Sequence, residues 1–137
     1  MTGYRRSFPT RWNDNDVYGH VNNTVYYEAM DTTVNAWLIS EAGMDPENSD
    51  TIGVVVTSTC TYAQSASYPD ILALDLSVGR LGSTSVTWRL RISRDSDDTE
   101  LATGEFVHVF VDRTTRRPVQ LPDTLRSAIT AQLEVAG

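Results

Sequence analysis

The chain has 137 residues, a length that suits one domain built on one core. Hydrophobic residues make up 40% and charged residues 21%, and no apolar run approaches the ~20 residues that a membrane-spanning helix needs. The formal charge of -7 repels phosphate backbones and excludes nucleic acid as an expected partner.

The start, Met1 to Arg6, carries two arginines with no apolar stretch behind them, so no signal peptide is expected. Residues 5 to 12 read as a first strand, with Pro9 marking an edge or a bend. Residues 13 to 21, rich in Asn, Asp and Gly, read as a loop. From Asn22 to Ala42 the period changes. Val25 and Tyr26, Ala29 and Met30, Thr33 and Val34, and Trp37 and Leu38 make an apolar stripe on one long helix. Asn22, Asn23 or Thr24 supplies the N-cap, and Gly43 with Pro46 supplies the stop.

After the polar connection 45 to 51, everything reads as strand until a closing helix. Ile52 to Tyr62 is β-branched and continuous, and Ile71 to Leu81 puts Leu74, Leu76 and Val78 on one face. Val86 to Ile92 sets Val86, Trp88, Leu90 and Ile92 against Thr87, Arg89 and Arg91. Leu101 to Val111 sets Val107, Val109 and Val111 against Phe106, His108 and Phe110. Turn signals at 64 to 70, 81 to 84 and 94 to 99 predict an antiparallel meander of the last three strands. Pro122 opens a short amphipathic helix carrying Leu125, Ile129 and Leu133. The fold class is α+β: a curved antiparallel sheet of about five strands wrapped around the long helix, all in a single domain over 1–137.

Cys60 is the only cysteine. That excludes an internal disulfide, suits a reducing cytoplasm and reads as a small buried apolar residue. Two histidines 88 residues apart and one cysteine have no zinc spacing, so no metal is expected. A calcium loop beginning at Asp14 fails at Tyr18 and Val25, its fifth and twelfth ligand positions. There is no G-x-S-x-G elbow. Nor does a histidine follow either loop aspartate by five residues, which disfavours an Asp–His hydratase pair.

Chemistry concentrates in Arg11 to Tyr27. Asp14 and Asp16 lie just ahead of a helix start, whose unpaired N–H groups favour negative charge and can polarise a carbonyl oxygen. A carboxylate in such a place suffices to hydrolyse an activated acyl group, by direct attack or by deprotonating water. Asp and Asn ahead of a helix also serve as ordinary caps and turn formers.

The segment W-x-D-x-D-x-x-G-H-V-N-N-x-x-Y, here Trp12, Asp14, Asp16, Gly19, His20, Val21, Asn22, Asn23 and Tyr26, resembles the 4-hydroxybenzoyl-CoA thioesterase family of hotdog-fold proteins. Tyr68-Pro69-Asp70, the turn Leu81 to Ser85, and Ala102-Thr103-Gly104 continue the resemblance from about Tyr4 to about Leu133. It implies a hotdog fold and an acyl-CoA substrate without a cofactor. It also implies a homodimer or homotetramer with the site at a subunit interface. Carried over, Asp16 is the catalytic carboxylate, the Asn23 backbone N–H polarises the thioester carbonyl, and Gly19 turns the chain into the helix. His20, Asn22, Tyr26, Ser83, Thr84, Ser85 and Arg89 stand as substrate-binding positions. Tyr26 and Trp37 also read as packing residues, and His20 and Asn22 as loop-positioning ones. The acyl pocket is expected between the helix and Val54 to Thr59.

The chain departs from the family at Gly82-Ser83-Thr84, a neutral turn where the 4-hydroxybenzoyl-CoA enzyme carries basic residues; Arg80, Arg89 or Arg91 can substitute. Glu28 and Asp31 keep open a carboxylate on the helix, as in a second hotdog lineage. The rival functions are hydrolysis of an acyl-carrier-protein thioester and a non-catalytic acyl-CoA-binding module.

Overall fold

A computed structural model describes residues 3–136; Met1 and Thr2, on which the reading of the start partly rests, lie outside it. The elements run β1 (Tyr4–Pro9), a 3-10 turn (Trp12–Asp14), α1 (Asn23–Ser40), β2 (Thr51–Tyr62), β3 (Ile71–Leu81), β4 (Ser85–Arg94), β5 (Glu100–Asp112) and α2 (Asp123–Gln132). All strand pairings are antiparallel, in the order β1-β3-β4-β5-β2, and β3, β4 and β5 form the expected meander. This is the hotdog arrangement that the family resemblance implies.

The apolar stripe of α1 is the buried face of the helix: Val25, Tyr26, Ala29, Met30, Thr33, Val34, Trp37 and Leu38. Against it lie Leu72, Leu74, Leu76 and Val78 of β3, Val86, Trp88, Leu90 and Ile92 of β4, and Phe106, His108 and Phe110 of β5. The Met30 side chain of α1 packs closely over Gly104 of β5. A Cβ there would meet the Met30 side chain and would stand 2.9 Å from the Thr59 carbonyl oxygen. α1 begins at Asn23, with Asn22 as N-cap, and ends before Gly43, whose φ of +70° lets Met44 N–H close back onto the Leu38 carbonyl at 3.0 Å.

Two expectations shift. The first strand ends at Pro9 rather than residue 12, because Asp14 accepts the Arg11 backbone N–H and its guanidinium, drawing Trp12–Asp14 into a tight turn. Cys60 is only partly buried, on the edge strand β2. Burial pushes its thiol pKa up.

Candidate active site

Asp14 and Asp16, two residues apart, have opposite surroundings. Asp14 is 2% exposed. Its carboxylate takes the Arg11 N–H at 2.7 Å and the Arg11 guanidinium at 2.9 and 3.1 Å, and its carbonyl accepts the Asn22 N–H at 2.8 Å. It is stitched into the loop. Asp16 is half-buried, and only its Oδ1 is engaged, by the Tyr18 N–H at 2.9 Å. Its Oδ2 has no hydrogen-bond partner among the described residues.

The loop around Asp16 is tied from several sides. The Asp16 N–H donates to the His20 carbonyl and the Gly19 N–H to the Asp16 carbonyl, a closure that needs the φ of +85° at Gly19. Asn15 grips the β2–β3 connection: its amide donates to Ser67 Oγ at 3.1 Å and accepts the Tyr68 N–H at 3.0 Å. Ser67 Oγ in turn donates to the Gly19 carbonyl at 3.2 Å, and the Val21 N–H reaches the Ala66 carbonyl at 2.9 Å. At the helix start, Asn22 Oδ1 accepts both the N–H and the hydroxyl of Thr24 at 3.0 Å. The Asn23 N–H is left without a partner among the described residues. An amide at the positive end of an 18-residue helix favours a developing negative charge.

Asp16, His20, Asn22, Asn23 and Tyr26 line one open depression of about 700 Å³, together with Tyr18, Val21 and residues 62–65 at the end of β2. Tyr26 is buried, its hydroxyl accepts the Ala66 N–H at 3.3 Å, and burial pushes its phenol pKa up. The His20 imidazole has no hydrogen-bond partner among the described residues and is exposed. Gly19 shapes the loop without lining the depression.

The structure does not bring the remaining expected positions there. Ser83, Thr84 and Ser85 make the β3–β4 turn, at the opposite end of strands that rise ~3.4 Å per residue. The Ser83 carbonyl accepts the Leu121 N–H and that of Thr84 the Phe110 N–H. Arg89 lies on the sheet face away from α1, ion-paired with Glu105 at 3.0 Å, beside a trench of about 630 Å³ that also takes in Arg91. Arg91 is paired with Asp98 and Glu100. Among the described residues, neither arginine nor lysine lines the Asp16 depression. The expected pocket wall, Val54 to Thr59, is exposed along the sheet edge and does not line the depression; residues 62–65 take that place.

Residues 10–129 match the model of the thioesterase-like superfamily. The PA5185 protein from Pseudomonas aeruginosa strain PAO1 shares 42% identity, with a TM-score of 0.92 over 98% of this chain and 94% of that one. The PA2801 protein from Pseudomonas aeruginosa shares 32% identity, with a TM-score of 0.86 over 91% and 96%. Slr0204 from Synechocystis, a 1,4-dihydroxy-2-naphthoyl-CoA thioesterase, is similar in fold at 19% identity, with a TM-score of 0.85 over 93% and 96%. No curated protein gives a significant match. With the matched residues spanning β2 through β5, α1 and the Asp16 loop, the chain belongs to the thioesterase-like superfamily and carries its hotdog fold.

Proposed function

We propose that the chain hydrolyses acyl-CoA thioesters, with Asp16 as the reacting carboxylate and the Asn23 N–H as the carbonyl-polarising donor. The observation that carries this reading is the pairing, in one depression, of a carboxylate oxygen and a helix-start amide that both lack partners among the described residues. The thioester carbonyl oxygen accepts from Asn23, which stabilises the oxyanion formed on attack. In one route an Asp16 oxygen adds to the carbonyl carbon. The C–S bond breaks, coenzyme A leaves as its thiolate, and water then cleaves the acyl–aspartyl anhydride. In the other route Asp16 takes a proton from a water that adds to the same carbon, and the thiolate leaves with that proton restored to it. The name of the naphthoyl-CoA enzyme from Synechocystis supports a coenzyme A thioester as substrate on this fold.

The site is completed by a second copy. β2 is a 12-residue edge strand with Val54, Val55 and Val56 exposed, and unpaired edges of this kind recruit another strand. Two copies joined antiparallel along β2 extend one sheet into the other. The Thr51 end of the partner strand then lies beside the Tyr62 end of this one. The partner's Ser83 to Ser85 turn sits at its Thr51 end, on the Asp16 side of this subunit. The expected substrate contacts of Ser83, Thr84 and Ser85 therefore come from across the interface.

A second reading is hydrolysis of acyl-carrier-protein thioesters. It is favoured by the lack of arginine or lysine among the described residues lining the depression, since such a substrate brings no nucleotide to the site. One experiment tests both. Rates are measured with the same acyl group on coenzyme A and on carrier protein, for the native chain and for Asp16→Asn. Faster turnover on coenzyme A that falls by about 100- to 10,000-fold in the variant supports the proposal. Preference for carrier protein supports the second reading, and full activity in Asp16→Asn defeats both. Binding of acyl-CoA without turnover would make the chain a ligand-binding module.

A further inference from the structure

Tyr62 ends β2 and stands at the wall of the Asp16 depression, 43% exposed in the single subunit. Its ring meets that of Tyr26 edge-on, with centroids 5.2 Å apart and planes at 86°. Its hydroxyl donates to the Asn23 carbonyl across a long 3.4 Å.

A bulge in β2 aims it there. Before the bulge, Gly53 and Val55 oppose Phe110 and His108, on the helix side of the sheet. After it, Ser58, Cys60 and Tyr62 oppose Phe106, Gly104 and Ala102, on that same side. The register shift between Val55 and Thr57 therefore moves the helix-facing set from odd to even positions. In a regular strand Tyr62 would project from the outer face of the sheet, and one extra residue turns it into the site.

We infer that Tyr62 sets the size of the acyl group accepted at the Asp16–Asn23 site. The inference rests on the thioesterase reading above. Asn23 connects the two: its N–H is the donor proposed for the thioester oxygen, and its carbonyl holds the Tyr62 hydroxyl. The Tyr62 side chain is thus held against the same residue whose N–H is to take the thioester oxygen. Two other phenol rings and the exposed His20 imidazole of the loop line the depression. Tyr26 is buried with its hydroxyl tied to Ala66, and Tyr18 lies on the exposed loop. Tyr62 alone combines an accessible ring with a fixed place beside Asn23, so an acyl chain leaving the carbonyl packs against it. One methylene gained or lost against such a wall changes kcat/KM by about 10- to 200-fold.

The test is a kcat/KM profile on straight-chain acyl-CoAs from acetyl to dodecanoyl, for the native chain, Tyr62→Ala, Tyr62→Trp and Tyr62→Phe. Tyr62→Ala shifts the preference to longer chains and Tyr62→Trp to shorter ones, each by about tenfold or more in the long-to-short ratio. Tyr62→Phe, which keeps the ring, keeps the native profile. An unchanged profile in the folded Trp variant overturns the inference even where the Ala variant fails to fold. Asp16→Asn, run alongside, separates the two levels. If turnover depends on Asp16 but the Tyr62 variants share one profile, only the role of Tyr62 fails. If the native chain turns over no acyl-CoA, or Asp16→Asn is fully active, the catalytic reading fails and takes this one with it.

Discussion

The indole N–H of Trp88 donates to Nδ1 of His108 at 2.9 Å, and both side chains are buried, with the Trp37 ring of α1 5.7 Å from that of Trp88. The bond uses the lone pair of a neutral imidazole, and burial pushes the His108 pKa from 6.5 down to about 4, against a smaller upward pull from Asp31. In the unfolded chain the imidazole takes its proton near 6.5, and in the folded chain only near 4. Its contribution to stability is therefore complete above about pH 6.5 and is lost as pH falls toward 4, by on the order of 3 kcal/mol. Urea midpoints at pH 7.5 and 4.5 measure this loss. His108→Gln, which keeps an acceptor for Trp88, flattens that interval. Asp45, Asp97 and Asp112, whose carboxyls are held below the usual range by hydrogen bonds, titrate beneath it.

The two loop aspartates separate stability from activity. Asp14→Ala removes the buried carboxylate that accepts both the Arg11 N–H and its guanidinium, and costs ~1–3 kcal/mol. Asp16→Asn keeps an oxygen for the Tyr18 N–H and changes stability by less than ~0.5 kcal/mol while turnover collapses. Thermal melts and steady-state rates on both variants read the contrast. A large stability loss in Asp16→Asn would make that carboxylate architectural.

That contrast is not legible in the sequence, where both residues are acidic, close together and ahead of a helix. It arises because Arg11 folds back onto Asp14 and on no other residue of the loop. The stripe of α1 is legible because a helix buries every third or fourth residue whatever packs on it, and Val25 to Leu38 comply. The meander is legible because its turns are marked. The ion pair of Arg89 is not legible for the opposite reason: strand register places Glu105 directly across from it, and register is a property of two strands. Tyr62 is hidden because alternation along β2 cannot reveal where an extra residue has been inserted.

Gly104 tests how tightly α1 is clasped. Gly104→Ala places a methyl group against the Met30 side chain and 2.9 Å from the Thr59 carbonyl oxygen. Met30 has rotatable bonds and can yield, but the Thr59 backbone belongs to a paired strand and cannot. The variant loses ~1–3 kcal/mol, and Met30→Ala in the same chain restores only part of that loss. Urea unfolding of the two single variants and the double variant measures the coupling. Full restoration would show that the Thr59 contact does not matter.

The exposed edge of β2 leads to a prediction about assembly that also tests where the turn residues act. Lysine on a sheet edge opposes strand pairing, so Val54→Lys with Val56→Lys converts the assembly to monomers by sedimentation velocity, with thioester hydrolysis lost alongside. A monomeric native chain would refute the interface. A mixing experiment goes further. Asp16→Asn and Thr84→Glu each inactivate their own homodimer, the first through the carboxylate and the second through a charge set against the substrate. When the two are unfolded together and refolded as a mixture, half of the dimers pair unlike subunits. If each site takes Asp16 from one copy and the turn from the other, every mixed dimer holds one intact site and one doubly altered site, and activity returns to about a quarter of the native level. If each subunit supplied both elements of its own site, no combination would hold an intact pair, and the mixture would stay inactive.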